Sequence, residues 1–213
     1  MTFELLTSAT CRWSIRNVAA LIEKGADFRL VDVSPDGHSA GWFTALTPFG
    51  KTPALRHKNQ IVVESRIINE YLDEVMPGRP LLPTKPLNRA WARVWNGFCD
   101  EEIMRQVRLY ATGDPHAKQL ALDSLDNALT RLEDHLFDHG SPGDYWGGRA
   151  LSLTDLTYWT LFDVFDRLAL LHEARRLVDS RPRISAWSSR LLAHPTLVYA
   201  EAQLVALASP VRA

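Results

Sequence analysis

A chain of 213 residues, 46% hydrophobic and 23% charged, can bury one large core or two small ones and has an ordinary soluble composition. Its formal net charge of −1 gives no support for the basic surface that nucleic-acid binding requires. No apolar run approaches the roughly 20 residues needed to cross a bilayer, and the start MTFELLTSAT lacks the basic-then-apolar order of a signal peptide. The two cysteines, Cys11 and Cys99, form no metal-type pair, and a reducing, cytoplasmic setting is the expectation.

In chain order, FELLT (3–7) predicts a short buried strand. IRNVAALIEKG (15–25) places Val18, Leu21 and Ile22 on one stripe and predicts a helix stopped by Gly25. DFRLVDV (27–33) alternates imperfectly and reads as a strand covered on both faces. Strand, helix and strand make a right-handed βαβ unit with parallel strands. Trp42 and Phe43 read as packing residues. PALRH and IVVE around the polar KNQ predict a hairpin. SRIINEYLDEVM (65–76) carries Ile67, Ile68, Tyr71, Leu72 and Val75 at helical spacing, with Ser65 as its expected N-cap.

PGRPLLPTKP (77–86) holds four prolines, which resist helix and sheet alike, and reads as a linker. Beyond it strand signals vanish, and helices are predicted over 87–111, 115–139, 152–172, 182–193 and 196–208. Ser152 stands three residues before Asp155, a capping box with Asp in place of Glu. The expected organisation is a small α/β domain over 1–76, a linker over 77–86 and an all-α domain over 87–213.

Residues 46–74 carry the chemistry. A proline is sterically allowed at the start of an edge strand. A cis bond between Thr52 and Pro53 would turn the backbone outward and offer the Thr52 N–H and C=O to a peptide-like ligand. The helix start at Ser65 suits a carboxylate, and adjacent Glu64 suits an ammonium. One site thus suits a small zwitterionic peptide. His135 and His139 are four apart but lack a third partner for a metal, and YWGGR is no phosphate loop.

WFTALTPFGKTPAL, VVESRIINEYLDE, the EKG that closes the first helix and the later SLTD together resemble the glutathione transferase superfamily over essentially the whole chain. The resemblance implies an α/β thioredoxin-like N-terminal domain and an all-α helical-bundle C-terminal domain. It makes Pro53 a cis-proline, Thr52 the backbone partner of the cysteinyl part of glutathione, and Glu64 and Ser65 the holders of its γ-glutamyl end. Lys51 is a candidate for the glycyl carboxylate, and Met104, Arg108 and Tyr110 are candidate walls of an acceptor pocket in a cleft between the domains. Glutathione would be a co-substrate, no metal is called for, and a cytoplasmic homodimer is implied.

In that superfamily the sulfur-handling residue lies just after the first strand. Counting back fourteen residues from Gly25 lands on Cys11. Theta- and zeta-like members carry serine there, whereas omega-like members carry cysteine followed by proline. This chain reads Cys11-Arg12-Trp13, and Ser14 stands where a second redox cysteine would be, so the expected chemistry is monothiol. A helix N-terminus and neighbouring arginine favour a thiolate, which attacks a glutathione conjugate or a disulfide to form a mixed disulfide. Ser8, Thr10 and Ser14 are rival hydroxyls that would stabilise the thiolate of glutathione itself, and Cys99, near Trp95 and Phe98, reads as packing. Three functions compete: thiol transfer or reductive deglutathionylation through Cys11, conjugation of glutathione to an electrophile, and a non-catalytic binding or regulatory protein on the same scaffold.

Overall fold

The computed structural model describes residues 2–33, 41–140, 142–167 and 172–207. The chain divides into two compact units, 1–79 with 194–213, and 80–193. The first contains β1 (Thr2–Thr7), α1 (Arg12–Glu23), β2 (Asp27–Asp32), α2 (Gly41–Leu46), β3 (Ala54–His57), β4 (Gln60–Val63) and α3 (Ser65–Val75), with the chain's last helix, α10 (Pro195–Leu207).

Four strands form one sheet in the order β2-β1-β3-β4. β1 and β2 are parallel, as the βαβ reading required, and β3 runs antiparallel to both β1 and β4. The hairpin turn is two residues, Lys58 and Asn59, with φ of 49° and 62°, so its backbone twist matches that of the flanking strands. Gln60, expected in the turn, pairs instead with His57. On one face Leu6, Val33, Phe43 and Ala54 form a dry cluster beneath α2. On the other, Leu5 opposes Leu55, and the Phe3 ring lies 4.4 Å from that of His57.

β2 is the edge strand of the sheet. Its Asp27 and Arg29 are exposed, its apolar Phe28, Leu30 and Val31 are partly buried, and Arg29 Nε donates to Glu4 at 2.9 Å. Paired ions on an edge resist further strand addition. α1 begins at Arg12, three residues before Ile15, where the expected helix opens, and residues 14–21 are buried on every side because α3 and α10 both pack on it. α2 was unanticipated, and of its aromatic pair only Phe43 is buried, Trp42 being 39% exposed.

The second unit holds α4 (Pro86–Gly97), a π-helical stretch (Phe98–Ile103), α5 (Met104–Thr112), α6 (Pro115–His135), a 3₁₀ turn (Leu136–Asp138), α7 (Leu153–Arg167), α8 (His172–Asp179) and α9 (Pro182–Leu192). Pro86, Pro115 and Pro182 open their helices, where a missing N–H costs nothing. The helix expected over 87–111 forms as one continuous helical run over 86–112 with a π stretch inside it, and Ile103 and Met104 on either side of the π-to-α change are both buried. α8 was not anticipated, and the expected helical residues 168–171 and 208 lie outside the described residues.

α7 is the unit's axis. Its residues 153–165 are all buried, and the Tyr158 and Phe162 rings lie 5.1 Å and 5.6 Å from that of Trp187. The expected capping box forms at its start: Ser152 Oγ and Ser152 N donate to Asp155 at 2.6 Å and 2.8 Å, and Asp155 N donates back to Ser152 Oγ at 3.4 Å.

Candidate functional site

Strand register gathers the predicted residues of the first unit. Leu6 of β1 pairs with Ala54 of β3, which pairs with Val63 of β4. The segments leaving or entering the sheet at that end are therefore the run to Cys11, the Thr52–Pro53 corner and Glu64–Ser65. The Thr52–Pro53 bond is cis, as expected. Lys51, just before the corner, is exposed, Thr52 is half-buried and Pro53 is buried.

Cys11 occupies the N-cap position of α1 in an extended conformation and makes no side-chain capping bond. Its N–H donates to the Ser8 carbonyl at 3.0 Å, and its own carbonyl accepts from Ser14 N at 3.1 Å, so the backbone holds the thiol at the helix start. The side chain is half-buried, unlike Cys99, which is 1% exposed and sits in the core of the second unit. Of the rival hydroxyls, Ser14 is fully buried and accepts from Thr7 Oγ1. Ser8 is also buried and lies 3.3 Å from the hydroxyl of exposed Thr10. Arg12 bonds Glu201 of α10 at 3.1 Å.

At α3 the cap position falls on exposed Glu64, with φ of 68°, and Ser65 is the first helical residue, correcting its expected role as N-cap. A positive φ at a residue that is not glycine is uncommon, and backbone held in such sparsely populated regions clusters at ligand-binding and active sites. Ser65 is buried, and its hydroxyl oxygen accepts from both Nε, at 3.0 Å, and Nη2 of Arg16. Asn17 Nδ2 donates to the Ser65 carbonyl at 2.8 Å and to Asn69 Oδ1 at 2.6 Å. Arg16 and Asn17 were missed because hydrophobic periodicity registers only the apolar members of a buried helix, and both are polar residues no more than 2% exposed.

The arrangement offers a nucleophile at one helix start and, at another, a donor-rich turn beside an exposed carboxylate. At the hairpin-turn end of β3, His57 Nδ1 lies 2.7 Å from the Tyr71 hydroxyl, and burial, helped by Lys58, pushes its imidazole below the usual range. In the second unit Met104 is 3% exposed and Tyr110 donates to Glu173 at 2.7 Å, a bond that with burial raises the phenol. Of the three candidate wall residues Arg108 alone is exposed. Among the described residues no group of three His, Cys, Asp or Glu side chains is placed to hold a metal, and no helix is long and apolar enough to cross a membrane.

Residues 10–75 match the family description "Glutathione S-transferase, N-terminal domain" and residues 115–190 match "Glutathione S-transferase, C-terminal domain". Glutathione S-transferase U16 of Arabidopsis thaliana is 29% identical over 191 residues, 87% of this chain and 81% of that protein. Protein LigF of Sphingobium sp. (strain NBRC 103272 / SYK-6) is 41% identical over 106 residues, 47% of this chain and 41% of that protein. The crystal structure of beta-etherase LigF from Sphingobium sp. strain SYK-6 superposes with a TM-score of 0.78 at 26% identity, covering 94% of this chain and 98% of that one.

Proposed function

The chain belongs to the glutathione S-transferase family, and from that premise we propose that it is a glutathione-dependent thiol transferase working through a mixed disulfide at Cys11. The Thr52 backbone pairs with the cysteinyl part of glutathione. Glu64 takes the γ-glutamyl ammonium, Ser65 takes the neighbouring carboxylate, and Lys51 takes the glycyl carboxylate. Arg108 is the exposed candidate on the acceptor side. The active form is a two-fold homodimer in the cytoplasm, as the resemblance implies, and no metal takes part.

In the first step the Cys11 thiolate attacks the sulfur of a glutathione conjugate. A sulfur–sulfur bond forms, the carbon–sulfur bond breaks, and the departing carbon keeps the electron pair and takes a proton from solvent. A second glutathione thiolate then attacks the glutathionyl sulfur of the mixed disulfide, releasing oxidised glutathione and restoring the Cys11 thiolate. The substrate is reduced by two electrons, which come from two glutathione sulfurs joining. With a disulfide as substrate the same two steps transfer a thiol. The single observation that carries this reading is the half-buried Cys11 at the N-cap of α1, where its side chain makes no capping bond.

The test is the intact mass of the protein after incubation with oxidised glutathione. One glutathionyl adduct is expected, absent from Cys11→Ala, together with loss of thiol transfer to background in that variant. An unmodified wild type, or an adduct that survives Cys11→Ala, overturns the reading. The likeness to LigF favours a second one. There the thiolate of bound glutathione displaces the leaving group of an electrophile, an ether oxygen departing as an alcohol, and Cys11 only assists. Glutathione conjugation that persists in Cys11→Ala would select it.

A further inference from the structure

The Ser65 hydroxyl is held from behind. Arg16, on the second turn of α1, is 2% exposed and directs two N–H groups of its guanidinium, Nε and Nη2, at one oxygen, Ser65 Oγ. A hydroxyl oxygen has two lone pairs and one hydrogen. Two N–H donors from a cation fill its acceptor capacity, so its own hydrogen is the bonding capacity left. Donors from a charged group also withdraw electron density, which strengthens the O–H as a donor. Asn17 fixes the Ser65 carbonyl at 2.8 Å and the Asn69 side chain at 2.6 Å, so the backbone beneath the hydroxyl does not turn to release it.

We infer that Arg16 is a positioning residue that commits the Ser65 hydroxyl to donating, and thereby selects a carboxylate at the start of α3. This deepens the functional reading above and rests on it: the carboxylate is that of a γ-glutamyl group, and a ligand lacking it gains nothing from Arg16. Arg16 itself stays behind Ser65 and touches no ligand. The fork holds the oxygen better than a single donor would, because lysine offers a point charge rather than two fixed donors converging on one atom.

Calorimetric titration with two ligands tests this: glutathione, and 4-aminobutyryl-cysteinylglycine, which keeps the ammonium and lacks the γ-glutamyl carboxylate. Arg16→Met and Ser65→Ala are each expected to weaken glutathione about tenfold, the scale of one charge-assisted hydrogen bond. Neither changes the affinity of the analogue, and the double variant is no worse than the single ones. If Arg16→Met fails to fold by circular dichroism, Arg16→Lys is read in its place, with a smaller loss again confined to glutathione. Equal weakening of both ligands means a general structural role and overturns the inference, as does unchanged glutathione affinity in a folded Arg16→Met. A wild type that binds neither ligand removes the functional reading as well, an outcome distinct from the other two.

Discussion

His57 shows what a single buried side chain costs the fold. Its ring packs on Phe3, its Nδ1 meets the Tyr71 hydroxyl, and it is 4% exposed, so the structure accepts it neutral. Burial is the larger cause of its lowered pKa and Lys58 the next. The unfolded chain therefore binds the proton more tightly, and the stability His57 contributes is complete above its ordinary value of 6.5 and lost as pH falls. Urea denaturation between pH 8 and pH 5 is expected to show stability falling below that value, with a contribution from this residue of up to about 1.4 kcal/mol per pH unit. His57→Gln should flatten that part of the profile; an unchanged slope would assign it to other groups. At this scale local motifs made Thr52, Pro53, Glu64 and Ser65 candidates, and the family resemblance made Cys11 one. It concealed Arg16 and Asn17, whose roles arise from a partner 48 or 49 positions away.

Among the elements, α7 depends on one carboxylate. Asp155 accepts from Trp146 N, Gly147 N, Ser152 N, Ser152 Oγ and Trp187 Nε1, all within 3.1 Å, and is fully buried. Burial pushes its carboxyl up, while the bonds from Ser152, Trp146 and Trp187 pull it down. Asp155→Ala strands several buried donors, each worth about 1–3 kcal/mol, and is expected to cost at least about 3 kcal/mol in urea denaturation. Asp155→Asn, which keeps one acceptor, should fall between; equal stability of all three proteins would show the donors repaired by water. The sequence disclosed the Ser152–Asp155 half of this cluster because capping is local. Trp146 and Trp187 join it only through the tertiary fold. The π turn at Phe98–Ile103 and the short helices α2 and α8 escaped for a related reason: six or eight residues hold too few turns to impose a visible period.

Over the whole molecule, the notable fact is that the last helix completes the first unit. α10 packs on α1 through buried Leu197, Ala200 and Leu204, with Glu201 on Arg12 and Thr196 on Glu23 at 2.7 Å. Exposing two buried leucines alone costs about 3–6 kcal/mol. A chain ended at His194 is therefore expected to melt roughly 10 °C lower or more by differential scanning calorimetry. A change of a degree or two would mean that α10 is not needed to hold α1.

Local chemistry determined a great deal without coordinates. Strand and helix periods, the cis-proline corner and the capping box are each written within about a dozen residues of chain, where propensity and sterics act alone. The tertiary structure decided what depends on distant partners: β2 as an edge, α1 enclosed on all sides, α10 against the sheet-bearing unit, and a buried arginine seated behind the serine of α3. Such contacts form between side chains far apart in sequence, and their energies depend on burial and geometry that no local window contains.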